Sequence, residues 1–328
     1  MFDNPFTFSE LNPDITLNAL ESIGILPESG LLALNSYENR VYQFQDENQQ
    51  RWVAKFYRPN RWKNEQILEE HQFSFKLKEA DIPIITPHAI EGESLFFYQD
   101  FRFAIFPFMG GRSFEVDNEN QLEEVARLLG KMHSIGQGLQ FKHRPTISLN
   151  EYLTKPRAVL AQCPLIAKHL KLNFLTTLDQ LIEKTSAQWS QDWQNIALHG
   201  DCHPSNILWR DQPLLVDLDD ARNGPAIQDI WMLLSGDRKD QLYQLDIIAE
   251  AYSEYADFPI SQLKLIEALR SLRIVHYMAW IASRWQDSAF PQAFPWFAEE
   301  KYWEEQILVM RKQIELIEQP PLSLYPQW

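Results

Sequence analysis

The first periodic run of the chain, ITLNALESIGI, is introduced by Asn12 and Pro13. Asn caps helices and Pro is favoured at the first helical position, so an amphipathic helix is predicted there. Three runs rich in Leu, Val, Tyr, Phe and Trp follow, LLALNS, RVYQFQ and RWVAKFY, with the polar DENQQ between the last two. They predict an antiparallel meander. Residues 61–80 change to helical spacing, Pro83 and Pro87 interrupt it, and SLFFY with FRFAIFPF supply two more strands. MGGRSFEVDN, with two glycines between an apolar strand and the helix QLEEVARLLGKMHSIG, suits a hinge. Beyond it the chain is mainly helical. Short strands are expected only at NILWR and PLLVDL, and long helices studded with Trp, Tyr and Arg run from about residue 241 to 317. The predicted fold class is α+β in two lobes, a small antiparallel β-sheet lobe over residues 1–108 and a helical lobe over 109–328.

Composition narrows the function. A chain of 328 residues with 45% hydrophobic side chains can bury a large core. Its formal charge of -15 supplies no basic stripe for nucleic-acid phosphates or an anionic membrane surface, and simply favours solubility. Cys163 and Cys202 are too few for a secreted disulfide framework and lack zinc-ligand spacing, which fits a reducing cytosol. MFDNPFTFSE has no basic segment followed by an apolar run, and nowhere do eighteen uncharged apolar residues occur together. A cytoplasmic monomer is expected, with no nucleic-acid or membrane partner.

The densest chemistry lies in HGDCHPSNILWRDQPLLVDLDDA, residues 199–221. Phosphoryl transfer needs a carboxylate to orient the attacking hydroxyl and oxygen ligands to hold magnesium against the phosphates, because positioning and charge neutralisation supply most of the catalysis. Asp201 as base and Asn206 as metal ligand stand at the interval of the protein-kinase catalytic loop. An apolar strand then leads to Asp217, Asp219 and Asp220. In an extended strand Asp217 and Asp219 point the same way, so periodicity alone leaves the second metal ligand open. Any one of these residues alone reads as an ordinary turn or capping group.

A nucleotide also needs a cation, and Lys55 in RWVAKFY is placed to touch its phosphates. Glu70 shares a helical face with Ile67, Phe73 and Leu77, where a carboxylate requires a partner, and Lys55 is the predicted one. Glu69 is the fallback. LNSYENRVYQF, where a kinase has its glycine-rich phosphate loop, contains no glycine; Ser36 and Asn39 are its candidate phosphate contacts. His199 is expected to buttress the catalytic loop and Asp229 to anchor it. His203 and His133 read as packing or hydrogen-bonding histidines.

At these positions the chain resembles the aminoglycoside phosphotransferase and choline kinase-like superfamily, whose HGD-x-x-x-x-N loop and I-D-W-E-D-A-like segment read here as HGDCHPSN and VDLDDA. That alignment puts Asp217 at the metal position. EEHQFSFKLKEADIPI resembles the family's R-E-x-x-x-L-x-x-L helix before a V-P step, and the interval to Pro83 selects Glu70. NSYENRVYQF, KFYRP, EEHQF, LHGDCH, NILWRD and VDLDDARNGPA are similar to the bacterial stress response kinase A proteins along nearly the whole chain. The resemblance implies a bilobal protein-kinase-like fold, a serine/threonine protein kinase using ATP and Mg2+, and an ATP-site position for Ser36. Two departures, Gly200 where protein kinases usually carry Arg and a short segment after Asp217, leave a small-molecule kinase as the alternative. For that alternative Glu267 and Trp280 are candidate cation-site residues. Residues 218–228 contain no Ser, Thr or Tyr, so activity without phosphorylation of that segment is expected.

Overall fold

The structure is a computed structural model that describes residues 8–189 and 193–324. Asn12 accepts the Ile15 amide at 2.9 Å and starts α1 (Pro13–Glu21), as its capping chemistry predicts. β1 (Leu32–Ala33), β2 (Arg40–Gln45), β3 (Arg51–Phe56), β4 (Phe96–Tyr98) and β5 (Phe101–Pro107) form an antiparallel sheet in the order β1-β2-β3-β5-β4. Strand alternation sorts its two faces. Trp52, Ala54 and Phe56 of β3 join Phe101, Phe103 and Ile105 of β5 in a core closed by Ala19 and Leu20 of α1. Val53 and Lys55 therefore face the other way, toward α2 (Asn64–Glu79).

Helix α2 belongs to two cores. Ile67 packs with Tyr57, Leu95 and Ala104 beneath the sheet, whereas Phe73 and Leu77 enter the large core of the following helices. That larger core gathers α3 (Glu119–Gln137), α4 (Lys155–Gln162), α5 (Lys168–Gln188), α6 (Ile227–Trp231), α7 (Arg238–Tyr252), α8 (Ile266–Arg284) and α10 (Glu300–Ile317), with the short α9 (Ala289–Ala293) before the last. No helix among the described residues is long and apolar enough to cross a membrane. Cys163 and Cys202 are both buried and free.

The predicted strands β8 (Ile207–Trp209) and β9 (Pro213–Leu215) are present, but they are not alone in this half. The hinge segment holds β6 (Arg112–Ser113), which pairs with β8. β7 (Ile196–Leu198) pairs with β10 (Arg222–Gly224), directly before and after the chemical cluster. Strands of two or three residues are too short to carry a legible alternation. Together these hairpins fix both ends of the 199–221 segment.

Candidate active site

A cleft of about 320 Å³ opens beneath the five-stranded sheet. Val41 and Val53 form its roof, Leu208, Val216 and Leu218 its floor, and the segment from Phe106 to Met109 its back. Apolar walls with a polar mouth suit a planar ring with charged groups attached. Lys55, Glu70 and Asp217 line the polar end, and Ser36 the loop edge.

Lys55 is buried and lies 3.0 Å from Asp217 Oδ1 and 3.1 Å from Asp219 Oδ1. Burial alone would lower its pKa, but the charges of Asp217, Asp219 and Glu70 outweigh it and raise the ammonium well above its ordinary value. The predicted pair with Glu70 is the loosest of its contacts, at 4.0 Å. Glu70 is shared with the buried Arg144, 3.3 Å away, which also donates to the carbonyls of Gln66, Asp219 and Ala221. Burial raises the Glu70 carboxyl to about 7 despite both cations. Glu69 plays a different part: it accepts the amides of Lys142, His143 and Arg144 at 2.6, 2.9 and 2.8 Å.

The catalytic-loop candidates gather at the far side of Asp217. Gly200 has a left-handed φ of 84°, and a Cβ there would collide with the Asp220 carbonyl oxygen. This explains why an Arg cannot occupy the position. Asp229 anchors the loop by accepting the His199 and Gly200 amides, each at 2.9 Å, and His133 contacts the same carboxylate at 3.1 Å. His199 lies 2.9 Å from the Val216 carbonyl and so buttresses the strand leading to Asp217. Asn206 Nδ2 donates to the Asp201 carbonyl at 2.9 Å, leaving Oδ1 as its oxygen for a cation. Asn206 lines neither this cleft nor the neighbouring one that holds Asp201.

Asp217 is not in a strand. It adopts a left-handed conformation, φ 58°, and a single 3-10 turn over Leu218–Asp220 follows. Asp is one of the few side chains that tolerate this conformation, which ends the strand and starts the turn. The turn, rather than strand alternation, brings Asp217 and Asp219 to the same lysine. Asp217 is 55% exposed at the cleft, while Asp219 is buried and its Oδ1 has the Lys55 ammonium 3.1 Å away. The donor set of carboxylates and an amide oxygen is that of a hard cation such as magnesium. No group of three or more His, Cys, Asp or Glu side chains among the described residues is arranged as a metal cluster. Magnesium at nucleotide sites uses one or two carboxylates with phosphates and water, so the residues present fit it.

A second cleft, of about 360 Å³, meets the first at Ser36, Asn39 and Asp217 and contains Asp201. Burial would raise the Asp201 carboxyl, but a hydrogen bond from His203 and the Arg273 charge hold it well below the usual carboxylate range. His203 Nε2 is 3.3 Å from Asp201 Oδ2, and Arg273 binds Oδ1. His203, expected as a packing or hydrogen-bonding histidine, takes the hydrogen-bonding role, with the candidate base as its partner. Arg61 pairs with Asp219, and with Asp220 at 3.0 Å. Arg222 holds Asp220 from the other side at 2.5 Å.

The glycine-free loop is fixed by ion pairs instead of glycine turns. Glu38 binds Arg58 and Arg284, each at 3.1 Å, and accepts from Trp280 at 2.5 Å. Arg58 and Arg40 both reach Asp287, at 2.6 and 3.1 Å. Asn39, expected at a phosphate, is committed to structure: its Oδ1 accepts the Arg58 amide and its Nδ2 donates to Asp219. Ser36 remains the loop's hydroxyl at the junction of the two clefts. The alternative cation site does not assemble. Glu267 is bound by Gln313 at 2.9 Å and lies outside both clefts, while Trp280 turns its donor to Glu38. Arg61, Arg144 and Arg273 carried no signal in the sequence, since each meets its carboxylate only through long-range folding, whereas Arg222 stands two residues from its partner Asp220.

Residues 31–263 match the Phosphotransferase enzyme family. The chain is 52% identical over 328 residues, 100% of both chains, to Stress response kinase A of Escherichia coli O157:H7. It is 50% identical over 328 residues, again 100% of both, to Serine/threonine protein kinase RdoA of Salmonella typhimurium strain LT2. Among solved structures it is similar to amicoumacin kinase hAmiN in complex with AMP-PNP, Ca2+ and Ami, with a TM-score of 0.70 and 17% identity over 94% of each chain. At that identity the likeness shows the kinase-like α+β fold.

Proposed function

Because the chain belongs to the Phosphotransferase enzyme family, among the stress response kinase A proteins, we propose that it is an ATP- and magnesium-dependent serine/threonine protein kinase of the bacterial stress response. It acts as a cytoplasmic monomer, its lobes over residues 1–108 and 109–328 meeting at the cleft. The observation that carries this reading is the buried Lys55, bound by Asp217 and Asp219 where an apolar cleft adjoins the one holding Asp201.

In this reading Lys55 contacts the nucleotide phosphates, Glu70 and Arg144 brace it from below, and Ser36 meets the nucleotide at the loop edge. Asp201 orients the acceptor hydroxyl and takes its proton; its low pKa suits orientation more than strong basicity. Asp217 and Asn206 would hold magnesium, which when bound neutralises charge developing on the transferred phosphoryl oxygens. His203 keeps the Asp201 carboxylate in place. Residues 218–228 carry no Ser, Thr or Tyr to modify, and Gly200, the loop anchor Asp229 and the β7–β10 pair leave them little room to rearrange. The enzyme is therefore active as synthesised. Phosphatase treatment should leave its activity intact; complete loss would refute this.

A small-molecule acceptor is the second reading, favoured by Gly200 and the short 218–228 segment. The two are separated by offering purified protein radiolabelled ATP with a serine/threonine peptide library and, in parallel, a panel of hydroxyl metabolites. Label in peptide serine or threonine supports the protein-kinase reading. Label only in metabolites overturns it.

A further inference from the structure

Helix α8 turns one face into the Asp201 cleft: Leu269, Leu272, Arg273, His276, Tyr277 and Trp280, spaced three and four apart. Five carboxylates line that cleft, and each already has a cation of the protein. Glu38 has Arg58 and Arg284, Asp217 has Lys55, Asp219 has Lys55 and Arg61, Asp220 has Arg61 and Arg222, and Asp201 has Arg273. A cationic acceptor would have to compete with one of these pairs, at the expense of Lys55 or an arginine.

The cleft's arginines are not equivalent. Arg61 and Arg222 are mostly buried and tied into the Asp219 and Asp220 turn. Arg273 is 44% exposed, and among the described residues Asp201 is the carboxylate it pairs with. An acceptor hydroxyl approaching Asp201 must share or displace His203 or Arg273, and Arg273 is the more exposed of the two. A half-exposed pair gives up its partner at small cost. An acceptor with its own carboxylate beside the hydroxyl lets Arg273 change partner with no charge left bare, whereas a basic neighbour faces a cation.

We propose that Arg273 determines acceptor specificity: it selects a serine or threonine hydroxyl flanked by acidic residues, exchanging Asp201 for the acceptor's carboxylate. The inference rests on the protein-kinase reading above and adds the chemistry of the acceptor segment. In the acceptor-free chain Arg273 neutralises Asp201; in the complex it anchors the substrate and releases the Asp201 oxygen to the hydroxyl.

The test uses two peptide sets with the same central serine, one flanked by Asp and Glu and one by Lys and Arg. Wild type should favour the acidic set in kcat/KM by at least about tenfold, roughly 1.4 kcal/mol of discrimination. Arg273→Ala should lose most of that preference, chiefly through KM for the peptide. Arg273→Glu should turn it toward the basic set, and Arg273→Lys should restore part of it. Arg157→Ala, which breaks an exposed pair with Asp179 elsewhere, serves as the unchanged control. A preference that is absent in wild type, or untouched in Arg273→Ala and Arg273→Glu, overturns the proposal and leaves the kinase reading standing. Transfer to neither set, with metabolites still phosphorylated, overturns the protein-kinase reading and the proposal with it.

Discussion

Lys55 and Glu70 stand on neighbouring elements in apolar surroundings, yet they lean on different partners. Lys55 has three carboxylates within 4.0 Å, two of them on the turn after β9, so its charge is secured even if Glu70 is removed. Glu70 is placed between Lys55 and Arg144, and burial works against its ionised form. The two substitutions should therefore differ. Lys55→Ala should lower kcat/KM for ATP by about tenfold or more, because a phosphate contact is lost. Glu70→Gln should have a milder effect, since it loosens the lysine without deleting it. Steady-state kinetics with varied ATP checks this; equal and negligible effects would remove Lys55 from the site. Glu70 was legible because a carboxylate sat among Ile67, Phe73 and Leu77. Asp217 was legible only through family resemblance, because its left-handed backbone breaks the strand pattern that periodicity assumes.

Helix α2 carries Glu70 to its place, and the helix is itself fastened at its middle. Glu69 receives three successive amides from the loop after α3, and Gln66 donates to the His143 carbonyl at 2.9 Å. A carboxylate meeting several amides has the charge-assisted geometry of a strong contact. Glu69→Ala should leave those amides without their acceptor and cost about 1–3 kcal/mol, with kcat falling alongside as α2 loosens. Chemical denaturation and turnover assays together test it; unchanged stability would mean that solvent replaces the carboxylate. The elements were mostly readable in the sequence. α1, β2, β3, β5 and α3 stand within a few residues of their hydrophobic runs. β6, β7 and β10 were not, since two or three residues give no period, and their pairing partners lie far along the chain. The arginines escaped for the same reason: Arg273 lies 72 residues from Asp201, and a charged residue on a helix reads as solvated until the fold brings it to a carboxylate.

Across the whole molecule, charge is organised in opposed pairs around the clefts, and neutral polar groups fill the interior beside them. His71 is the clearest of the latter, 2.8 Å from Tyr57 Oη and 2.8 Å from Ser94 Oγ. Burial, aided by the nearby charges of Lys55 and Arg144, lowers its pKa from 6.5 to about 3. Between those values the unfolded chain binds a proton that the folded chain refuses. Its contribution is complete above pH 6.5 and is lost as pH falls toward 3, with each tenfold difference in proton affinity worth about 1.4 kcal/mol. Glu70 works in the opposite sense: raised from 4.5 to about 7, it costs stability as pH climbs through that interval. Comparing wild type with His71→Gln isolates the histidine. Melting temperatures should fall more steeply for wild type than for the variant as pH drops from about 6.5, whereas parallel profiles would contradict a neutral buried His71.

The central claim, that the joined clefts carry out metal-dependent phosphoryl transfer through Asp217, is tested most directly by one measurement. Wild type and Asp217→Asn are compared for transfer of the ATP γ-phosphate, each with magnesium and with EDTA, alongside their melting curves. Asn tolerates the left-handed backbone at this position, so the variant should still fold. Wild type should transfer phosphate only with magnesium, and Asp217→Asn should lose at least about a hundredfold in rate while still melting cooperatively at a slightly lower temperature, since Lys55 loses one of its three carboxylates but keeps Asp219 and Glu70. Near-normal transfer by Asp217→Asn, or wild-type transfer that persists in EDTA, would contradict it.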